Sequence, residues 1–282
     1  MRGPTWHRNS CFLDALVVAL LHVPTATLGQ LLDQVRTPLA TQLAIIQQKL
    51  GQSAAHTCQA LRTALQPVLA GRGYEDPADG RARDALEVLK AMLEHLHCPD
   101  VLWATRGAEI WQDAWRSRRL PTTSRYGILW TVQLPTAART LAATLHQVAE
   151  QQVDGQLDAD DMQEMRTLHG QGCVAAYSRR RDAISLAKVE GDLLLLELER
   201  LYLGTHGQQK RSVTALAPDP LRIGEDHFAA ISLVCHAHHH YTCLVYREQQ
   251  WWLYDDRAPQ LRPATLHTYL PQVVLYVYKK VL

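Results

Sequence analysis

Cys11, His240 and Asp255 carry the groups of a thiol hydrolase, in the order nucleophile, base and orienting acid. Cys11 stands in Asn9-Ser10-Cys11-Phe12-Leu13-Asp14, directly ahead of an apolar run in which Leu13, Leu16, Val17, Leu20 and Leu21 recur at helical spacing until Pro24 ends it. A cysteine that opens a helix lies where backbone N–H groups and the helix dipole favour thiolate, the charge state in which sulfur attacks an amide carbonyl. His240 opens a strand-like segment and directly precedes an aromatic residue, which sets it apart from His238 and His239. Its imidazole can take the thiol proton and return it to the leaving amine, provided an acid fixes its tautomer. Asp255 of Trp252-Leu253-Tyr254-Asp255-Asp256 supplies that acid, and Asp256 is the neighbour that assists through hydrogen bonds. A buried thiol, a plain acidic turn and a histidine metal cluster explain these residues singly. Together they make a thiol hydrolase the leading reading, and with no further ligand set beside the histidines neither metal nor cofactor is expected.

The bulk of the chain sets limits on the rest. Its 282 residues, 47% hydrophobic, suffice for a substantial core in one catalytic domain, residues 1–282. Lys plus Arg number 29 against 28 Asp plus Glu, so no whole-chain field points to nucleic acid or an anionic membrane. The run Arg179-Arg180-Arg181 reads as a solvated turn. Six scattered cysteines without a Cys-x-x-Cys pair fit reduced thiols, hence a cytoplasmic or nuclear setting. The N-terminus imitates a secretory signal, but Asp14 interrupts its apolar stretch and cleavage there would discard Cys11. No run reaches the roughly 18 to 20 apolar residues of a membrane span, so a soluble monomer is expected.

The elements that must position the three side chains follow from periodicity. Residues 1–100 read as a helical lobe, with amphipathic stretches over Leu28–Leu50, Cys58–Leu69 and Asp84–Leu96 and a turn-rich insert at Gly71–Pro77. Residues 101–190 are mixed: a strand over Tyr126–Leu134, helical spacing from Ala137 to Gln151 and an acidic loop at Asp154–Asp161. Residues 191–282 alternate short apolar runs with turns and read as a largely antiparallel sheet, although Leu193–Leu203 fits a buried helix equally well. Trp251 and Trp252 read as sheet packing, and Arg200 as a structural ion-pair partner. A helix bearing the nucleophile against a sheet bearing the base is an α+β, papain-like arrangement.

Several segments in this order resemble the ubiquitin-specific proteases, papain-fold deubiquitinases with thumb, palm and fingers. Asn9–Ala15 resembles the cysteine box, Asp84-Ala85-Leu86-Glu87-Val88 a second box, Leu193–Arg200 a strand ending Leu-x-Arg, Pro218 and Leu221 a Pro-x-x-Leu segment, and Phe228–Asp256 the histidine box. Tyr269–Lys279 is similar to the closing aromatic strand. Asn-Ser-Cys-Phe-Leu-Asp and His7 look most similar to the cylindromatosis-type branch, which is associated with a restricted set of linkages, linear chains included. The resemblance implies a helical thumb, an antiparallel β palm, reduced fingers without metal, and ubiquitin or polyubiquitinated proteins as partners. It implies Cys11, His240 and Asp255 as catalytic, and Asp84 and Glu87 as acids that could pair with arginines of the ubiquitin tail, a task a solvated helix start explains nearly as well. Two positions depart. Trp6 stands where most relatives carry an oxyanion-stabilising asparagine, a donor worth roughly 2.7 to 4 kcal/mol, so the Cys11 N–H, His7 or Asn9 must substitute. His236-Ala237-His238-His239 replaces the usual glycines of a loop that flanks the ubiquitin tail. A catalytically weak ubiquitin-binding scaffold and a protease for another ubiquitin-like modifier are therefore the alternatives.

Overall fold

The computed structural model describes residues 1–5, 10–71, 84–96, 103–112, 117–119, 123–127, 130–133, 140–142, 153–156, 179–189, 191–203, 209–211 and 214–281. Five helices come first: α1 (Cys11–Leu21), α2 (Ala26–Gln34), α3 (Pro38–Gln52), α4 (Gln59–Ala70) and α5 (Ala85–His95). Every residue of α1 is buried, as the all-round apolar sequence demands. The helix has α3 and α5 among its helical neighbours and lies against the sheet that follows.

The stretch expected to run unbroken over Leu28–Leu50 is two helices. Thr37 caps α3 by accepting the Ala40 N–H at 3.2 Å, and Pro38 takes the first helical position, where a missing N–H costs nothing. The start of α2 is capped from far away in sequence. Asp192 accepts the N–H groups of Ala26 at 2.9 Å and Thr27 at 3.1 Å, while its own N–H donates to Thr27 Oγ1 at 3.2 Å. Burial pushes this carboxyl up, but the bonds from Thr27 and Ala26, together with Lys279, outweigh it and hold the group below its ordinary value. Asp192→Ala should therefore cost about 1–2 kcal/mol, read as a lower urea midpoint at unchanged slope. An unmoved midpoint would show that this cap contributes nothing.

The described strands, in chain order, are β1 (Trp103–Gln112), β2 (Ser117–Arg119), β3 (Thr123–Gly127), β4 (Trp130–Gln133), β5 (Val153–Gln156), β6 (Arg179–Val189), β7 (Leu193–Glu199), β8 (Leu201–Leu203), β9 (Gln209–Arg211), β10 (Leu221–Ile223), β11 (Asp226–Ala237), β12 (His240–Arg247), β13 (Gln250–Asp255), β14 (Ala258–Pro263) and β15 (Val273–Val281). The main sheet runs β14-β13-β12-β11-β15-β7-β4 with β10 beside β11, antiparallel except for the β4–β7 pair. Leu193–Leu203, readable as helix or strand, is two strands parted at Arg200, β7 in the main sheet and β8 paired with β9. Both sheet faces are buried: Leu193, Leu195, Val234, Cys243 and Val245 join the α1 core, while Leu194, Leu196, Leu233 and Leu244 join a second core beneath. A strand covered on both sides loses its alternation and keeps a continuous apolar run.

Arg200 is buried and acts structurally through carbonyls. Its guanidinium donates to Val273 O, to Leu270 O at 2.8 Å and to Thr214 O at 3.0 Å, tying the second core to the start of β15, the last strand in the chain. Trp251 and Trp252 are half-buried on β13. Trp251 packs on Tyr246 at 5.2 Å and Trp252 Nε1 donates to Arg247 O at 3.3 Å, the sheet packing the sequence suggests.

Apart from β4, the described strands of the middle region form a separate sheet, β2-β1-β6-β5 with β3 paired to β1. Arg179-Arg180-Arg181 is not a turn: it opens β6, in register with Gln112, Trp111 and Ile110. Asp154 likewise belongs to β5, opposite Arg181, while residues 157–161 of the expected acidic loop lie outside the described residues. The strand expected over Tyr126–Leu134 is two strands, β3 and β4. Of the helical spacing from Ala137 to Gln151, Leu141 and Ala142 are helical and most of the rest lies outside the described residues. No strand residue of this sheet is a cysteine. Among the described residues no helix is long and apolar enough to cross a membrane.

Candidate active site

Cys11 is the first residue of α1 and almost wholly buried. Ser10 precedes it, and the Ser10 carbonyl accepts the N–H groups of Leu13 and Asp14, each at 2.9 Å, which starts the helix. The Ser10 hydroxyl does not cap the backbone; it donates to Asp14 Oδ2. The Cys11 sulfur lies against the backbone N–H groups of Tyr241 and Phe12, both of which favour thiolate. Burial outweighs them and raises the thiol above its ordinary value, and Asp256 and Asp14 add to the rise whenever they are ionised. The expectation of a thiolate set by the helix dipole is thereby corrected. The resting group is a thiol, and a base must take its proton.

The residue expected from the sequence to be that base lies beside the Tyr241 contact. The Tyr241 N–H that reaches the sulfur follows His240, the first residue of β12. His240 Nε2 lies 3.1 Å from Asp255 Oδ1, at the end of β13, and 3.7 Å from Asp256 Oδ1. With Nε2 directed at Asp255, the proton belongs on Nε2, and Nδ1 is left as the basic nitrogen. Asp255 Oδ1 also accepts the Arg257 N–H at 3.1 Å, and Arg262 lies 3.7 Å from Oδ2. The three side chains can carry out general-base attack by sulfur on a carbonyl.

Asp256 sits deeper, 1% exposed, and meets Asp14 from α1, at 0%. Desolvation pushes both carboxyls up, Asp256 further through the charge of Asp14, whereas hydrogen bonds from Ser10 and Cys58 temper the rise at Asp14. Arg62 of α4, itself buried, faces the same group. Asp14, Ser10, Cys58 and Arg62 are the residues sequence reasoning missed. One signal was available: Asp14 is the lone charged residue in an otherwise apolar helix.

Asp84 and Glu87 are exposed at the start of α5. Asp84 caps the helix by accepting the Leu86 N–H at 2.8 Å. The Ala85 N–H meets the Tyr241 hydroxyl at 3.4 Å, which docks this helix start beside the histidine strand. His7 and Asn9, the expected oxyanion or supporting residues, and Trp6 lie outside the described residues. His238 and His239 form the two-residue turn between β11 and β12 with φ of 49° and 58°. Both are left-handed, as in a type I′ turn, where glycine and asparagine are favoured. His236 stacks on Tyr241 at 4.3 Å, so the segment replacing the glycines braces the strand that carries the base. His240, Asp255 and Asp256 also bring one donor atom each within 4.8 Å, a spacing open to a cation as well as to a catalytic triad.

No family model and no curated protein matches this sequence. Solved structures do. The SAGA DUB module Ubp8/Sgf11/Sus1/Sgf73 bound to monoubiquitin matches with a TM-score of 0.74 at 15% identity, over 100% of this chain and 69% of that one. The SAGA Ubp8/Sgf11/Sus1/Sgf73 DUB module bound to ubiquitin aldehyde matches with a TM-score of 0.64 at 13% identity, over 100% and 70%. The fold is α+β and papain-like, shared with these structures. It agrees with a ubiquitin-specific-protease-like architecture and lends no support to the cylindromatosis-type branch.

Proposed function

We propose that the chain is a cysteine deubiquitinase, hydrolysing the isopeptide or peptide bond after the C-terminal glycine of ubiquitin. The observation that carries this reading is the 3.1 Å contact of His240 with Asp255, one residue from the Tyr241 N–H that meets Cys11, on a fold shared with ubiquitin-bound structures. Cys11 Sγ attacks the glycine carbonyl as His240 Nδ1 takes the thiol proton. The C–N bond then breaks, the amine leaves with that proton, and a thioester remains. Water, deprotonated by His240, attacks the thioester and frees ubiquitin. The Cys11 N–H at the start of α1 stabilises the oxyanion, with Asn9 or His7 as further donors. Asp84 and Glu87 pair with arginines of the ubiquitin tail. Residues 1–282 act as one monomeric catalytic domain without metal or cofactor, with a thumb over 1–100, fingers within 101–190 and a palm over 191–282.

Ubiquitin bearing a C-terminal thiol-reactive group should form a one-to-one covalent adduct, seen by intact mass, that Cys11→Ala abolishes. A chelator should leave the adduct unchanged. No adduct from folded protein would overturn the reading. One observation favours a non-catalytic ubiquitin-binding protein instead, the burial that raises the Cys11 thiol. Ubiquitin binding by calorimetry without an adduct would establish that alternative, and adducts with a different modifier would redirect the substrate.

A further inference from the structure

We propose that Asp14 keeps Asp256 in its neutral, protonated form, leaving Asp255 as the anion that orients His240, so that Asp14 is a positioning residue acting through Asp256. The inference deepens the hydrolase reading and rests on it for the roles of Cys11 and His240.

The geometry supplies three reasons. First, the two carboxyls meet inside the core, where adjacent carboxylates cannot both remain ionised. Second, hydrogen-bond donors are shared unequally. Asp14 Oδ2 accepts from the Ser10 hydroxyl and the carboxyl faces Cys58 and Arg62, its Oδ1 accepting no hydrogen bond, whereas neither oxygen of Asp256 accepts a hydrogen bond from an N–H or O–H group. The charge therefore settles on Asp14 and the shared proton on Asp256, which donates it to Asp14. Third, His240 Nε2 has oxygens at 3.1 Å and 3.7 Å, from Asp255 and Asp256. With Asp256 neutral only the nearer one competes for the N–H as an anion, and the ring keeps Nδ1 for the sulfur.

The surroundings agree. Facing the pair are Ser10 and Cys11 on the α1 side, Cys58 and Arg62 at α4, His240 on β12, and Tyr254 and Asp255 on β13. Burial pushes Cys58 and Tyr254 up, so both stay neutral, and Tyr254 donates its hydroxyl to Pro4 O at 2.7 Å. Arg62 balances the single negative charge of the pair. An ionised Asp256 would add a second one beside His240 and raise the Cys11 thiol further.

The test compares wild type, Asp14→Asn, Asp256→Asn and the double variant by the rate at which iodoacetamide alkylates Cys11 near neutral pH, a measurement that needs no ubiquitin. Asp14→Asn should slow alkylation about tenfold, the equivalent of one pKa unit. Asp256→Asn, an uncharged isostere of the protonated acid, should alkylate faster than Asp14→Asn, and the double variant should match Asp256→Asn, since Asp14 has nothing left to hold neutral. Difference infrared spectra should show a protonated carboxyl in the neutral wild type that is missing from both single variants. A double variant as slow as Asp14→Asn, or no protonated carboxyl in wild type, would overturn the proposal. Should Asp14→Asn fail to fold, Ser10→Ala removes a donor from Asp14 while leaving both acids, and its slower alkylation should again be rescued by Asp256→Asn; no rescue counts against. Loss of the ubiquitin adduct with this pattern intact would sink ubiquitin as substrate and leave the positioning role standing.

Discussion

Asp255→Ala is expected to lower kcat/KM on a fluorogenic ubiquitin amide by about 10⁴, the scale of losing the acid of a comparable triad. Asp255 Oδ1 is the acceptor that fixes the His240 N–H, and Arg257 N–H on the same oxygen holds the carboxylate in place. Without it the imidazole loses its tautomer and its aim, while Cys11 stays a thiol that burial has made harder to ionise. The group is half-buried at the rim of the sheet, so the fold should persist and the melting temperature should move little. Asp255→Asn makes a sharper companion. Its amide oxygen can still accept both N–H groups, so that variant should keep far more activity than the alanine. If the alanine variant kept activity within tenfold of wild type while Asp256→Ala lost it, the orienting acid would be Asp256 and the site would need reassignment.

Arg62→Met should destabilise the fold by about 3–5 kcal/mol near neutral pH, because it leaves a buried carboxylate without its cation. Arg62 is among the largest fully buried side chains and its charge faces Asp14 and Cys58. The deficit should depend on pH in a defined direction. Asp14 is raised to about 6 and Asp256 to about 7 by desolvation, so between the ordinary carboxylate value and that range the folded state holds more protons than the unfolded one. The contribution of this pair to stability is therefore full below the unfolded value and is lost as pH rises through the folded values. In mildly acidic solution Asp14 takes up its proton and needs no cation, so the Arg62→Met deficit should shrink. Urea unfolding of both proteins at mildly acidic and neutral pH measures it; a deficit that ignores pH, or one below about 1 kcal/mol, would show that Arg62 does not balance this charge.

Where a structure depends on local pattern, the sequence shows it plainly. The start of α1 at Cys11, the Asp84-capped α5 and the strands β11 to β13 and β15 all follow from spacing and turn residues. The break at Thr37-Pro38 was written in capping chemistry but hidden by apolar spacing that continues across it. Leu193–Leu198 carries no usable period because both of its faces are covered. Arg179–Arg181 reads as a turn by polarity, and pairing with β1 on one side, about seventy residues away, and β5 on the other makes it strand. The same division runs through the site. Residue types nominate Cys11, His240 and Asp255, yet the state of the thiol depends on burial that no neighbouring residue announces, and the pairing of Asp14 with Asp256 joins positions 242 apart.

A helix with no solvent face cannot open by itself. The backbone amides of α1 should exchange with water only when the β-sheet and the flanking helices separate, so the helix that carries Cys11 should open at the free-energy cost of unfolding the whole domain. Heating should therefore not give a window in which the fold survives and the site has already frayed. Loss of Cys11 reactivity and loss of structure should coincide, and whatever raises the barrier to unfolding should lengthen the life of this thiol site with it.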